Sequence, residues 1–385
     1  MSYITHLECP QCLQSFPSEK IQTFCQVCQS PILARYDLST AKQELDRDEI
    51  SQRSEGMWRW HELLPVNNLS HVCSLGEGDT PLLTSIGPDT IPEYSNIFIK
   101  VESINPTASF KARGLSAAVS KASEIGLKRL AIPTAGNAGS ALAAYASRAG
   151  IQAATVMPSD TPHAIVRECE LYGAEVTLVD GLISDCANIV AEMTESGEWF
   201  SVSTFREPYR LEGKKTMGFE IAQQNGWQLP DYIIYPTGGG TGLVGMWKAF
   251  QELQSLGWLE DEKFPKMISV QSEGCAPVVK AYLSGADHCD FWQDAKTSAW
   301  GIRVPISLAD SLILDIIRQS GGTALAVSED DILQAQQELG KAAGIFSSPE
   351  GAATLAGLKK LVASGNIQPD ESVVLFITAC GLKYL

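Results

Sequence analysis

The sequence predicts two α/β domains, each built on a parallel sheet, preceded by a small ribbon closed by cysteines. Three observations carry this prediction. Strand-like runs alternate with amphipathic helices from about residue 95, a second series of the same kind starts at Tyr232, and four of the ten cysteines crowd into the first 28 positions. A chain of 385 residues has room for two or three domains of about 150 residues each. With 44% hydrophobic and 19% charged residues it has enough apolar surface to fold, which excludes a wholly disordered chain.

The 29 basic residues are outnumbered by 45 acidic ones, a net charge of −16. Duplex nucleic acid and anionic membranes repel such a surface, so neither is expected as a partner. Met1–Pro10 has no basic flank leading into an apolar run, and no apolar stretch of about 18 residues occurs later. A cytoplasmic location is expected.

Taken in chain order, the first element is the cysteine cluster: Cys9-Pro-Gln-Cys12, twelve residues, then Cys25-Gln-Val-Cys28. Two such knuckles can set four thiolates around one Zn²⁺, with no coordination position left open, so the metal is expected to be structural. The rival reading, reduced or disulfide-linked cysteines, fits the paired spacing and a cytosolic context less well. Residues 1–35 carry only Lys20 and Arg35 against Glu8 and Glu19, which is no nucleic-acid patch. Residues 36–56 are charged and polar and read as an exposed linker or solvated helix. The other six cysteines have no mutual spacing that suggests a site, and they receive no role.

Ile97–Ile99 begins the sheet pattern, followed by Leu115, Ala118, Val119, Ala122 and Ile125 at helical spacing before Gly126, with Lys111 immediately ahead of that helix. Then come strand 130–132, helix 138–149 stopped by Gly150, strand 153–157, helix 164–172 stopped by Gly173, strand 175–179, a helix from about 184 to 196 and strand 199–202. The second series has strand 232–235, a glycine-rich turn, a helix from about 243 to 256 stopped by Gly257, and later strands at 267–270, 324–327 and 373–377. Alternation of this kind implies right-handed crossovers and parallel sheets, and the cleft between the two domains is the expected site.

Three segments place a tight turn between a strand end and a helix start, where free N–H groups and the helix dipole favour anions. Asn105-Pro106-Thr107-Ala108-Ser109-Phe110-Lys111 delivers one amine to a helix N-terminus, where burial and neighbouring charge can make it nucleophilic. Thr134-Ala135-Gly136-Asn137-Ala138-Gly139 lets a ligand approach the backbone and offers an amide. Gly238-Gly239-Gly240-Thr241-Gly242 lacks the Gly-Lys-Ser/Thr of a P-loop but can cradle one phosphate group. An amine, an amide turn and a phosphate cradle, in that order, are what pyridoxal 5′-phosphate requires.

With these motifs in view, the sequence resembles the fold type II pyridoxal-phosphate enzymes, with their fold like that of the tryptophan synthase beta chain, and specifically the threonine synthase family. Further motifs that carry the resemblance are Met57-Trp58-Arg59-Trp60, Leu75-Gly76-Glu77-Gly78-Asp79-Thr80-Pro81-Leu82, Pro208 to Thr216, Gly301-Ile302-Arg303-Val304-Pro305, Pro349-Glu350-Gly351-Ala352-Ala353 and Thr378-Ala379-Cys380-Gly381. The resemblance implies that residues 1–35 form the zinc ribbon, 36–104 with 214–385 the large cofactor-binding domain, and 105–213 the small domain.

Carried over by position, Lys111 is the Schiff-base lysine, Phe110 flanks the cofactor ring, and Asn137 touches the ring oxygen. Gly238, Gly239, Gly240 and Thr241 hold the cofactor phosphate, and Thr378 faces the pyridine nitrogen. Thr134, Ala135, Gly136 and Ala138 resemble the loop that takes the substrate carboxylate. Arg210 and Lys215 are expected to help bind a substrate phosphate. The implied reaction converts O-phosphohomoserine and water to threonine and phosphate, by a homodimer acting on a small amino acid. The family often has glycine at position 108, aspartate at 112, and asparagines where Gly239 or Gly242 and Leu182 stand here. The all-glycine turn is more like that of threonine and serine ammonia-lyases, which is the alternative activity. A third reading, a zinc-ribbon regulatory module on a disused enzyme fold, conflicts with the intact Lys111 and the three turns.

Overall fold

The computed structural model describes residues 1–54, 56–84, 91 and 93–385. They cluster into two units: residues 1–79, 105–218 and 251–258 in the first, and 80–104, 219–250 and 259–385 in the second.

The first unit begins with strands β1 (Ile4–Glu8), β2 (Ser15–Phe16) and β3 (Leu33–Tyr36), with β1 antiparallel to both of the others. So small a sheet cannot bury much on its own. Its inner residues Leu7, Ile32 and Ala34 pack with Cys9 and Cys25 against Tyr209, whose hydroxyl donates to the Ser18 carbonyl at 2.8 Å.

Of the two forms expected for residues 36–56, a linker or a helix, the structure shows helices, α1 (Leu38–Glu44) and α2 (Arg47–Ser51), each capped by an aspartate, Asp37 and Asp46. The sequence reading assigned residues 36–79 to the large domain, whereas the structure clusters them with the first unit. The physical reason lies in buried side chains. Trp58 Nε1 donates to Glu77 Oε1 and to Ser116 Oγ, both at 2.9 Å, and Tyr145 donates to Glu77 Oε2 at 2.6 Å.

Strands β6 (Arg129–Pro133), β7 (Gln152–Pro158), β8 (Glu175–Val179) and β9 (Phe200–Ser201) form a parallel sheet in the order β8-β7-β6-β9. Alternation along β6 decides the layers. Leu130 and Ile132 pack with helices α3 (Lys111–Glu124) and α4 (Asn137–Ala149), while Ala131 packs with α6 (Ile183–Glu195). Helix α5 (His163–Leu171) completes this part through Ile165, Val166 and Cys169.

In the second unit β4 (Leu82–Thr84), β5 (Ile97–Val101), β10 (Tyr232–Pro236), β11 (Lys266–Ser272), β12 (Thr323–Val327) and β13 (Val373–Ile377) make one sheet, ordered β12-β11-β10-β13-β5-β4. All neighbours are parallel except β4, which runs antiparallel to β5. Near-continuous apolar runs such as Val373–Ile377 suit a parallel sheet covered on both faces. Helices at Tyr209–Gln224 (α7), Pro277–Ser284 (α9), Asp310–Gln319 (α10), Glu329–Ala343 (α11) and Pro349–Ala363 (α12) lie outside the sequence prediction, while α8 (Thr241–Leu256) falls within it. Among the described residues, no helix is long and apolar enough to cross a membrane.

Candidate active site

In the first unit the turn before α3 is held by unusual backbone. Thr107 and Ala108 both adopt positive φ, at 58° and 51°, a conformation that costs free energy in a residue with a Cβ. The turn is closed by Ala108 N–H donating to the Asn105 carbonyl at 2.8 Å, and Asn105 Oδ1 accepts from Gly78 N–H at 3.0 Å. Ser109 is extended, Phe110 caps the helix, and Lys111 is its first residue rather than the residue before it. Lys111 Nζ lies 4.3 Å from the centroid of the Phe110 ring. Ser109 Oγ is buried with no hydrogen-bond partner among the described residues.

The second turn is organised by Thr134, whose Oγ1 accepts from Gly136 N–H at 3.1 Å and Gly139 N–H at 3.3 Å. Gly136 has φ +145°, and Asn137 starts α4. The loop 134–138 therefore lies beside a helix N-terminus with its side chains small, which leaves backbone groups accessible to an anion.

In the second unit the glycine turn follows β10. A Cβ on Gly238 would stand 2.7 Å from the Gly301 carbonyl oxygen, and Gly240 combines φ +81° with a Cβ position 2.2 Å from Ile313 Cδ1. Ser307 Oγ donates to the Gly239 carbonyl at 3.0 Å, fixing the turn from outside. Thr241 is the first residue of α8, so the first N–H groups of that helix, which have no intrahelical acceptor, follow the turn directly. Thr378 follows β13, the strand paired with β10 in parallel register, and is 3% exposed. The turn and Thr378 thus sit at the carboxyl ends of adjacent parallel strands, where open α/β sheets bind ligands.

The two cations expected to bind substrate are placed differently. Lys215 is fully buried, and its ammonium donates to the Leu63 carbonyl and to Glu212, both at 2.7 Å, and forms an ion pair with Glu252 at 2.8 Å. With two carboxylates already beside it, Lys215 is held away from a substrate phosphate, and the expectation for it is corrected. Arg210, 1% exposed, donates through Nη1 to the Val202 carbonyl, while its Nε has no hydrogen-bond partner among the described residues. Glu207 lies beside it, with burial pushing its carboxyl up to about 7.

Lys214, to which the sequence motifs give no role, lies beside the Phe110 ring. Its Nζ lies 4.8 Å from the Phe110 centroid, it is fully buried, and burial first, then Lys111 and Arg210, hold its ammonium well below the usual lysine range. The spacing separates the two lysines onto different faces of α7 but does not say which face meets α3. Arg210 and Lys214 are four apart on one face of α7, whereas Glu212 and Lys215 are three apart and pair with each other.

At the other end of the first unit, the two cysteine knuckles repeat one geometry. Leu13 N–H donates to the Cys9 carbonyl and Gln29 N–H to the Cys25 carbonyl, both at 2.9 Å, and Leu13 and Gln29 have φ of 61° and 63°. The four Sγ atoms lie within 4.8 Å of one another.

Residues 73–379 match the model of the pyridoxal-phosphate dependent enzyme family. Threonine synthase of Methanocaldococcus jannaschii is 33% identical over 97% of this chain and 92% of its own length, and that of Methanosarcina acetivorans is 34% identical over 98% and 92%. The chain belongs to the threonine synthase family of pyridoxal-phosphate-dependent enzymes. It is a pyridoxal-phosphate-dependent lyase of threonine synthase type with the fold type II architecture. Among solved structures, maize serine racemase (TM-score 0.66, 20% identity, 78% of this chain and 88% of that one) shares the fold. A fungal L-serine ammonia-lyase from Rhizomucor miehei does so too, with TM-score 0.66, 21% identity, and 78% and 93% coverage.

Proposed function

We propose that this member of the family runs the threonine synthase reaction itself: the Cγ–O bond of O-phosphohomoserine breaks with release of phosphate, and water adds its hydroxyl at Cβ to give threonine. The observation that carries this is similarity to threonine synthases along nearly the whole chain, ribbon included. The residues fit pyridoxal phosphate: a Cβ on Gly238 or Gly240 would collide with its neighbours, the first N–H groups of α8 follow the turn, and the buried Ser109 hydroxyl adjoins Phe110 and Lys111. Gly238, Gly239, Gly240 and Thr241 would hold its phosphate, Thr378 its ring nitrogen, Asn137 its ring oxygen and Phe110 its ring. Lys111 would attach it.

When bound, the cofactor supplies an electron sink for charge developing at the substrate Cα. The Lys111 amine is the base that takes the Cα proton and the acid that returns protons along the substrate carbons. The loop 134–138 orients the substrate carboxylate with its N–H groups other than those of Thr134 and Gly136, which donate to the Val156 carbonyl and to Thr134 Oγ1, and Arg210 is the remaining cation for its phosphate. One observation favours a second reading, ammonia-lyase action on threonine or serine: the turn is all glycine apart from Thr241, and Lys215 is fully engaged elsewhere. Incubation with O-phosphohomoserine and, separately, with threonine decides between them. The proposal expects free phosphate from the first to exceed 2-oxobutyrate from the second; the reverse establishes the ammonia-lyase, and neither product overturns both.

Zinc belongs to the same reading. Four sulfurs about 2.3 Å from one ion stand roughly 3.8 Å apart, and the Cys9–Cys28 and Cys12–Cys25 sulfurs are separated by 3.4 and 3.5 Å. Cys9, Cys12, Cys25 and Cys28 would hold it as a structural ion. The reading also takes over from the resemblance a cytoplasmic homodimer.

A further inference from the structure

Helix α7 is gripped along one side by the cysteine ribbon. Tyr209, Glu212 and Lys215 recur every third residue and so lie along one stripe of the helix. Tyr209 Oη donates to the Ser18 carbonyl at 2.8 Å, and its ring packs with Leu7, Cys9, Cys25, Ile32 and Ala34. Tyr36, in β3, donates to Glu212 Oε2 at 2.9 Å, and the Lys215 ammonium stands 4.0 Å from the Tyr36 ring centroid. Just ahead of the helix, the Arg206 guanidinium lies 5.5 Å from the centroid of the Phe24 ring. Tyr209, Glu212 and Lys215 are all buried, so the ribbon reaches the helix through desolvated polar contacts, which are stronger than those at a wet surface.

Another stripe of the same helix carries Arg210 and meets α3. A Cβ on Gly213 would stand 1.9 Å from the Arg113 carbonyl oxygen, and one on Gly114 would stand 2.8 Å from the Arg210 carbonyl oxygen. Helices α3 and α7 therefore touch backbone to backbone, with Arg210 at the contact. The Arg210 side chain does little to fix its own place: Nη1 donates to the Val202 carbonyl, and the buried Nε has no hydrogen-bond partner among the described residues. Its backbone N–H donates to Glu207 Oε1 at 2.5 Å, which ties the first turn but not the guanidinium. The height and rotation of Arg210 are therefore set by the helix, and the helix is held by α3 and by the ribbon. A buried guanidinium N–H without a partner is costly, and an anion beside it recovers that cost only where the donor is correctly placed.

We propose that Tyr36 and Tyr209 are positioning residues for Arg210: through them the ribbon fixes the first two turns of α7 and, with those turns, the cation presented to the substrate phosphate. This rests on the reading of Arg210 as that cation. It gives the ribbon a part in substrate binding beyond holding its own fold. Removing the Tyr209 hydroxyl leaves the Ser18 carbonyl without that donor, and removing the Tyr36 hydroxyl takes one donor from Glu212, so each change loosens the grip on α7 from a different strand or loop of the ribbon. A charge-assisted hydrogen bond from Arg210 needs its donor within about 3 Å of the anion, so a small shift of the helix is felt in binding.

The test uses full-length holoenzyme carrying Tyr36→Phe, Tyr209→Phe or both, changes that delete the hydroxyls and keep the rings. Equilibrium dialysis with inorganic phosphate reads the anion site without turnover. Arg210→Gln is expected to weaken phosphate binding about 10-fold or more, and the double tyrosine variant about 3-fold or more. Hydrogen exchange read by mass spectrometry over residues 209–216 is expected to run about 3-fold faster or more in the double variant, while residues 137–149 of α4 exchange as in wild type. Phosphate binding that falls in Arg210→Gln but not in the tyrosine variants overturns the proposal and leaves the reading of Arg210 standing. No phosphate binding in wild type, or binding unchanged in Arg210→Gln, overturns that reading and the proposal with it. Merely structural hydroxyls lower the unfolding midpoint and leave phosphate binding alone, which overturns the proposal, as does unchanged exchange over residues 209–216. Should the double variant not fold, the single variants decide by the same criteria.

Discussion

If the spacing of α3 and α7 governs the Lys111 site, replacing Gly213 with alanine should damage stability and turnover together. The added Cβ would lie 1.9 Å from the Arg113 carbonyl oxygen, and contacts of that kind below about 3 Å are repulsive, so the helices must separate by about 1 Å. Alanine gains ~1 kcal/mol over glycine in a helix interior. Overpacking a dense contact costs ~1–3 kcal/mol, and here the obstacle is backbone rather than a side-chain end, which puts the cost at the upper end and leaves a net loss of ~2 kcal/mol. Gly340 supplies the matched control: it sits in α11 with nothing within 4 Å of a built Cβ, so Gly340→Ala should gain ~1 kcal/mol. Urea unfolding should therefore separate the two variants by ~3 kcal/mol. Displacement of about 1 Å at a reacting group can cost ~100-fold in rate, so phosphate release should fall steeply in Gly213→Ala and stay unchanged in Gly340→Ala. Equal stability and turnover in the two variants would refute the close contact.

Glu207 gives a pH signature. Its carboxyl is raised to about 7 by burial, so between about pH 4.5 and 7 the folded state binds a proton that the unfolded state has lost. The contribution is full below the unfolded value and disappears as pH rises through 7. Wild type should lose up to about 3 kcal/mol relative to Glu207→Gln across that window, and parallel stability curves would exclude it. For the ribbon, metal analysis should find one zinc per chain, and stripping it with a chelator should lower the melting midpoint by at least ~5 °C. Protein purified without chelator and free of zinc would contradict the ribbon assignment.

Both sheets were legible because their patterns are local. Leu130 and Ile132 against Ala131 give the two faces of β6, and Gly150, Gly173 and Gly257 mark helix ends with φ of +65°, +84° and +73°. The turn at 105–111 was legible for the same reason, although the strain at Thr107 and Ala108 was not, since neither residue advertises positive φ. The choice between Lys214 and Lys215 depends on the phase of α7 against α3, a tertiary fact that the motif alone does not contain. Lys100 is the same case. It sits in an otherwise apolar strand, and its ion pair with Glu220 at 2.8 Å comes from a helix 120 residues later.

Comparing these buried lysines separates structure from chemistry. Lys100 donates to the Thr80 carbonyl, Glu220 and Gln224, and Lys215 donates to the Leu63 carbonyl and Glu212 and pairs with Glu252, so each ammonium has acceptors and at least one carboxylate beside it. Such pairs hold helices in place, and breaking one strands a buried charge. Lys214 differs: its charged neighbours include Lys111 and Arg210 as well as Glu207, and burial first, then the two cations, hold its ammonium well below the usual lysine range. Burial and the neighbouring Lys111 and Arg210 disfavour its proton, whereas the carboxylates beside Lys100 and Lys215 favour theirs.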